Sequence, residues 1–325
     1  MWLIVNFLGA DKFMSAFEAS KIITPCISEP NLSAYFVGFD LNDQGEIEYR
    51  LRELTHLLLN VIPEFSFGFH EGTSTKNKDL VSKVSEAAKA IYNIAEFTQV
   101  NNIYMNGGSI SDDDIDKKFL RRGEFGELIL HLLLREFHET IPLLSKIYFK
   151  DSYGHTVHGF DAIHIQPSTK TLWLGESKLY TDGKKGLTAL VEDIMEHFKK
   201  DYLESEFMLV SKKVKHFDNI PEKDYWLDLL NGSTKLIEQL NSINIPLLCT
   251  YSSKNFSIYN DETCADFIQE YEQEIRMLQD HFYAHNNHPL KSKLNIILLL
   301  FPVKCKTELV KSLHKKLYLM QLLGD

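Results

Sequence analysis

Hydrophobic and polar residues alternate most clearly along residues 159–180, and this pattern predicts two strands joined by a short turn. The first strand reads Gly-Phe-Asp-Ala-Ile-His-Ile, and the second reads Thr-Leu-Trp-Leu-Gly-Glu-Ser-Lys-Leu-Tyr. Pro167 and Ser168 mark the turn between them. The rest of the chain is organised around this predicted β-hairpin.

The register of the hairpin decides which side chains meet. Pairing Ile165 with Thr171 sets Asp161 opposite Gly175, beside Glu176. Side chains that alternate along a strand return to the same face at every second residue. The pattern therefore predicts that an aspartate and a glutamate from neighbouring strands lie side by side.

Three charged groups then converge on a surface that is otherwise apolar. Glu176 and Lys178 project from one face of the second strand, about 7 Å apart, with Asp161 nearby. A charge on an apolar surface costs free energy unless it is paired or bound to a metal ion. This cost is the reason to expect a functional site here.

Apolar residues at other spacings predict the remaining elements. Helical spacing predicts helices over Leu80–Phe97, Lys117–Phe137, Leu187–Tyr202, Lys223–Leu240, Cys264–Phe282 and Thr307–Leu323. Further strands are predicted at Ser33–Asp40, Leu143–Lys150, Phe207–Ser211, Pro246–Tyr251 and Leu294–Pro302. Residues 46–60 favour a helix, although their first half also fits a strand.

The helix predicted at Lys117–Phe137 carries a second pair of carboxylates. Glu124 and Glu127 are three residues apart and share a helix face. Gly123 and Gly126 each weaken a helix by about 1 kcal/mol relative to alanine. Two glycines in one helix indicate that another part of the molecule or a ligand approaches the helix closely. A pair of glutamates that simply faces solvent is an equally good interpretation of Glu124 and Glu127.

The converging groups have the chemistry of a divalent-metal site. Asp161 and Glu176 are hard oxygen donors, which Mg²⁺ or Mn²⁺ prefers. Lys178 is placed either to orient a metal-bound water or to offset charge at the transition state of a reacting phosphate. A third carboxylate from the preceding helix would complete the metal ligands, with Glu127 as the first choice and Glu124 as the alternate.

This order of residues resembles the PD-(D/E)xK nuclease superfamily. The matching positions are Glu127 in the helix, Asp161 in the second strand, and Glu176-Ser-Lys178 in the third; Phe160 stands where the motif has proline. The resemblance implies an α/β fold whose mixed central sheet is flanked by helices, and metal-dependent phosphodiester hydrolysis. The predicted organisation is an N-terminal α+β region at 1–110, for scaffolding or partner contacts, and a nuclease-like domain at 111–325.

A more specific resemblance covers most of the chain from about residue 30. Arg-Gly-Glu-Phe-Gly-Glu, Gly-Phe-Asp-Ala-Ile-His and Leu-Trp-Leu-Gly-Glu-Ser-Lys are similar to the nuclease subunit of the Hachiman anti-phage defence system. This resemblance implies a complex with a partner ATP-dependent helicase, which holds the nuclease inactive and releases it to degrade DNA. The chain itself has no Gly-x-x-x-x-Gly-Lys-[Ser/Thr] loop, so it is not the ATP-driven subunit.

Composition and charge narrow these expectations. The net charge of −10 argues against a stand-alone module that binds duplex DNA. Four scattered cysteines without a Cys-x-x-Cys pair indicate a reducing cytoplasm. The longest apolar run, Leu294–Val303, is too short to span a bilayer, so we expect no membrane association.

A second function remains open from the sequence alone. The same fold could persist as a non-catalytic interaction subunit, with the charged cluster serving as a buried ion-pair network. The retained Asp161, Glu176 and Lys178 favour the nuclease.

Overall fold

The computed structural model describes residues 16–68, 79–91, 123–144, 159–216 and 220–323. Its strands are β1 (Ile23–Glu29), β2 (Leu32–Val37), β3 (Phe39–Leu41), β4 (Ile47–Tyr49), β5 (Ile141–Pro142), β6 (Ala162–Gln166), β7 (Thr171–Leu179), β8 (Ile243–Ser252) and β9 (Asn295–Val303). Its α-helices are α1 (Leu51–Phe67), α2 (Leu80–Ile91), α3 (Glu124–Phe137), α4 (Gly183–His197), α5 (Lys200–Val214), α6 (Lys223–Leu229), α7 (Leu236–Asn241), α8 (Asn255–Ile258), α9 (Ala265–His285) and α10 (Lys306–Leu322).

Seven of the strands form one mixed sheet in the order β1-β2-β9-β8-β7-β6-β5. The pairs β2–β9, β9–β8 and β8–β7 are parallel, and the pairs at both edges are antiparallel. The predicted α/β class with a mixed central sheet flanked by helices is confirmed. Strand β2, from the predicted N-terminal region, pairs with β9, from the predicted nuclease-like domain, so both regions contribute strands to one sheet.

Helices cover both faces of the sheet, and the alternation along β7 shows which helix lies on which face. Ser177 faces α3, because a Cβ added at Gly126 would lie 3.2 Å from the Ser177 Oγ. The next residue, Lys178, contacts Asp193 of α4. Since neighbouring strand residues point to opposite faces, α3 and α4 lie on opposite sides of the sheet. Helix α1 packs on α3, and α9 packs on α4.

Several predicted elements occur where runs of apolar residues are buried in the structure. Strands β8 and β9 are almost entirely buried, as parallel strands covered on both faces are. Residues 46–60 contain both predicted alternatives, since β4 comes first and α1 follows. Helices α9 and α10 begin and end within three residues of their predicted bounds.

Several predicted elements differ from the structure, among them the helix predicted at Leu187–Tyr202, which spans the end of α4 and the start of α5. The strand expected at Phe207–Ser211 is wrong, because these residues belong to α5. The buried residues of α5 recur at helical spacing, and the short apolar run that suggested a strand is only part of that pattern; they include Leu203, Phe207, Val210 and Val214. The helix expected at Lys223–Leu240 is divided into α6 and α7 by the turn around Gly232.

Only the first two residues of the strand expected at Leu143–Lys150 are described. Strand β5 is the two-residue segment Ile141–Pro142, and residues 143–144 follow it outside the sheet. Residues 145–150 of that prediction lie outside the described residues, as do 92–97 and 117–122 of two predicted helices. None of the described helices combines the length and the apolar character that crossing a bilayer requires.

Candidate metal centre

The hairpin of β6 and β7 forms with a register one residue away from the predicted one. Gln166 pairs with Thr171, and the ladder runs on to Ala162 and Gly175. The predicted position of Asp161 opposite Gly175 is therefore wrong. Continued by one residue, the observed register sets Asp161 opposite Glu176. Asp161 lies just before β6, and its charge acts on the carboxylate of Glu176, so the two carboxylates lie near each other.

Asp161 is held by the strand across from it. Its Oδ2 accepts hydrogen bonds from the backbone N–H and the side-chain Oγ of Ser177, both at 2.8 Å. Charge-assisted bonds of this kind are stronger than bonds between neutral groups. The carboxylate therefore has a defined position at the end of β6.

Glu176 is the deepest carboxylate of the cluster, with only 2% of its surface exposed. Its Oε1 lies 2.6 Å from the Nδ1 of His197 on α4. Burial raises the pKa of Glu176 well above its usual value, and the negative charges of Asp161 and Asp193 raise it further. Lys178 acts in the opposite direction without cancelling these effects. Burial and the neighbouring carboxylates therefore both disfavour the charged form of Glu176.

Lys178 lies on the same face and forms an ion pair with α4. Its Nζ is 2.5 Å from the Oδ2 of Asp193. Burial opposes the charged form, but the hydrogen bond and the charge of Asp193 outweigh it, so the pKa of Lys178 is raised. Lys178 is thus an ammonium group and not a free amine at neutral pH.

The helix carboxylates of α3 have different environments. Glu127 is buried in the first turn, and its negative charge contributes to the raised pKa of Glu176. Glu124 is partly exposed. The close approach inferred from the glycines occurs at Gly126, where β7 passes beneath the helix. Gly123 precedes the helix as its N-cap and so does not weaken its interior.

The donor chemistry fits a hard divalent cation. Asp161, Glu176 and Glu127 are carboxylates, and the charges of the other two act on Glu176. A cation among them would offset the repulsion that raises the pKa of Glu176. Within the part of the chain that the structure describes, no three histidine, cysteine, aspartate or glutamate side chains already form a metal-binding group. The argument that these residues can bind a divalent cation is therefore based on their donor atoms and their charge.

Sequence reasoning missed two contacts from α4, namely Asp193 and His197. They are four residues apart on a predicted helix, a spacing that places both on one face. That spacing was the available signal. Polar residues on an amphipathic helix normally face solvent, so nothing in the sequence directed these two toward the sheet.

The chain was also compared with known proteins. The family model HamA matches residues 11–317, a range that includes Glu127, Asp161, Glu176 and Lys178. No curated protein matches the chain.

Proposed function

Because the chain belongs to the HamA family, the Hachiman family that its sequence resembles, we propose that it is the metal-dependent DNA nuclease of an anti-phage defence complex. The observation that carries this proposal is the proximity of the Asp161 and Glu176 carboxylates at one end of the hairpin, with Lys178 two residues beyond Glu176. These groups are suited to phosphodiester hydrolysis.

The proposed roles follow from the environment of each side chain. Asp161, Glu176 and Glu127 would hold Mg²⁺ or Mn²⁺. Such an ion, when bound, stabilises negative charge on the phosphate and lowers the pKa of water. Ser177 orients Asp161 through two hydrogen bonds. Lys178, kept charged by its surroundings, stabilises the negative charge that develops on the phosphate.

The proposed assembly follows from the family. The chain would work in the cytoplasm with a partner ATP-dependent helicase, which holds it inactive and releases it to degrade DNA during infection. Two features of the sequence support this arrangement. It has no phosphate-binding loop for ATP, and its net charge of −10 suits an enzyme that receives DNA from a partner.

Plasmid degradation tests the proposed activity. We expect the chain, separated from any bound partner, to degrade DNA in the presence of Mg²⁺, and Glu176→Ala and Lys178→Ala each to abolish degradation. Adding back the partner should suppress the activity of the native chain. A native chain that is free of partner and no more active than Glu176→Ala would contradict the proposal.

One observation favours a non-catalytic scaffold as the second candidate. Lys178 is paired with Asp193, and Glu176 is bonded to His197, so the two charges already have partners inside the protein. A buried pair of this kind can serve the fold alone. A scaffold would bind no divalent cation at these residues, whereas the nuclease would.

A further inference from the structure

Helix α4 presents two polar side chains to the candidate site at matched spacing. Asp193 contacts Lys178 at 2.5 Å, and His197 contacts Glu176 at 2.6 Å. Four residues of helix rise about 6 Å, and two residues of strand advance about 6.6 Å. Because these distances agree, a straight helix and a straight strand can make both contacts at once.

The helix that carries these side chains is itself fixed in place. Its N-terminus is capped by the Asp182 side chain, which accepts from the Lys185 N–H at 3.1 Å. Gly186 lets it approach β8, since a Cβ there would lie 2.6 Å from the Cys249 Sγ. Ring stacking fixes the imidazole at the other end, where His197 and Tyr202 have centroids 4.7 Å apart and planes 12° apart.

We propose that Asp193 and His197 are positioning residues, Asp193 for the ammonium of Lys178 and His197 for the carboxylate of Glu176. This inference rests on the proposed nuclease function. Neither residue needs to touch DNA. Each fixes the rotamer of a long side chain that would otherwise sample several orientations, and the free-energy cost of fixing it is then met before substrate binds.

The two residues should have separable effects. His197 holds a proposed metal ligand, and loss of a group that orients a metal ligand typically weakens metal binding or activity 10–100-fold. Asp193 holds the group proposed to stabilise the transition state, so its loss should lower kcat at saturating metal and leave the KM for DNA unchanged.

Mn²⁺ binding, followed by electron paramagnetic resonance, and Mg²⁺-dependent DNA cleavage together test the inference. We expect His197→Ala to weaken Mn²⁺ binding about 10-fold or more. His197→Asn should recover most of this affinity, because its amide can donate a similar hydrogen bond. We expect Asp193→Ala to lower kcat about 10-fold or more at saturating Mg²⁺, with a smaller change in Mn²⁺ affinity than His197→Ala shows, and Asp193→Asn to recover part of the rate.

Glu192→Ala is the matched control, because Glu192 is exposed on the same helix. Thermal unfolding of every variant identifies loss of fold, and the two asparagine variants, which keep a polar group in place, remain informative if an alanine variant unfolds. The inference is overturned if His197→Ala and Asp193→Ala behave like Glu192→Ala while Glu176→Gln is inactive. That result would leave the nuclease proposal standing. A native chain that neither binds Mn²⁺ nor cleaves DNA would overturn both.

Discussion

At the scale of single residues, Ser177 joins the two sides of the candidate site. Its backbone N–H and hydroxyl both donate to Asp161, while its side chain packs under α3 near Gly126. The same residue therefore links the metal-ligand candidate to the helix that carries Glu127. A small polar side chain satisfies both requirements, and a larger one would meet the helix backbone.

Ser177→Ala tests this link. The substitution removes one of the two bonds to Asp161, so we expect a loss of about 1 kcal/mol in the free energy of unfolding and DNA cleavage slowed about 10-fold through a less ordered carboxylate. Urea unfolding and initial cleavage rates measure the two effects. Ser233→Ala, at an exposed turn position, is the control and should leave both unchanged. Equal behaviour of the two variants would show that the hydroxyl has no role in holding Asp161.

The residues that sequence alone could identify are those whose chemistry conflicts with their surroundings. Asp161, Glu176 and Lys178 stand out because they interrupt apolar strands, and such charges require a partner. Asp193 and His197 agree with their surroundings, an amphipathic helix, and their shared helix face was a signal too common to identify them. Their contact with the site depends on how α4 crosses the sheet, which is a tertiary property.

At the scale of elements, α3 and β7 pack closely because glycine occurs where they meet. A Cβ added at Gly175 would lie 2.8 Å from the Leu130 Cδ2 and 3.2 Å from the Pro246 Cγ. The space between helix and strand is thus already filled by neighbouring side chains. This contact fixes the distance between α3, which carries Glu127, and β7, which carries Glu176.

Gly175→Ala should destabilise the protein. The added methyl group must displace Leu130 or move α3 from the sheet, and overpacking of this kind costs about 1–3 kcal/mol. Chemical denaturation measures the change. Gly232→Ala is the matched control, because nothing lies within 4 Å of a Cβ there. If Gly175→Ala were as stable as Gly232→Ala, the helix and strand would be less closely packed than described.

Elements with a complete periodic pattern were predictable, and those defined by their neighbours were not. Strands β8 and β9 have long apolar runs, and both formed where expected. Helix α5 was divided between a predicted helix and a predicted strand, because its polar face interrupts the apolar positions that indicate its length. The hairpin register failed by one residue, since the turn fixes register and its conformation cannot be derived from apolar spacing.

At the scale of the whole molecule, a buried polar network connects α1 to the core beneath the sheet. Glu64 of α1 accepts from Arg135 Nε at 2.6 Å and lies 3.1 Å from His131 Nε2. His131 in turn contacts His164 of β6 at 3.2 Å, and His164 contacts Thr140 at 2.8 Å. All five side chains are buried. The N-terminal helix and the hairpin are therefore tied together by polar groups that water does not reach.

Arg135→Met should lower the free energy of unfolding by breaking this network. It leaves the carboxylate of Glu64 buried without its guanidinium partner, and breaking a buried pair in this way costs about 3–5 kcal/mol. Arg276→Met is the matched control, since Arg276 forms a partly exposed pair with Glu29 that is worth about 0–1 kcal/mol. Urea unfolding should separate the two variants clearly. Similar losses in both would indicate that water reaches Glu64.

The buried ionisable groups also predict how stability depends on pH. Burial lowers the pKa of His138 from 6.5 to about 4 and lowers that of His164 well below 6.5. Below pH 6.5 the unfolded chain therefore takes up protons that the folded chain does not, and these two groups reduce stability as pH falls. Burial opposes the ionisation of Glu64, but His131 and Arg135 lower its pKa to about 2, so its contribution is lost between pH 4.5 and 2. The pKa of Glu176 is raised, so this group instead increases the stability of the folded chain as pH falls.

Replacing His138 isolates one of these contributions. Between pH 6.5 and 4, His138→Gln should reduce the loss of stability on acidification by up to about 1.4 kcal/mol per pH unit. Urea unfolding at pH 7, 6, 5 and 4 measures the slope in the variant and the native chain. His56→Gln, at an exposed position, is the matched control for replacing a histidine by glutamine. A His138→Gln slope equal to the native one would show that His138 is not protected from protonation.

The central claim is that Asp161 and Glu176 share a divalent cation, and anomalous diffraction from Mn²⁺-soaked crystals tests it most directly. The account predicts an anomalous peak bounded by the carboxylates of Asp161 and Glu176, with Glu127 turned toward it, and no such peak in Glu176→Gln crystals soaked identically. An empty position between these carboxylates at saturating Mn²⁺, with Lys178 still on Asp193 and Glu176 still on His197, would contradict it.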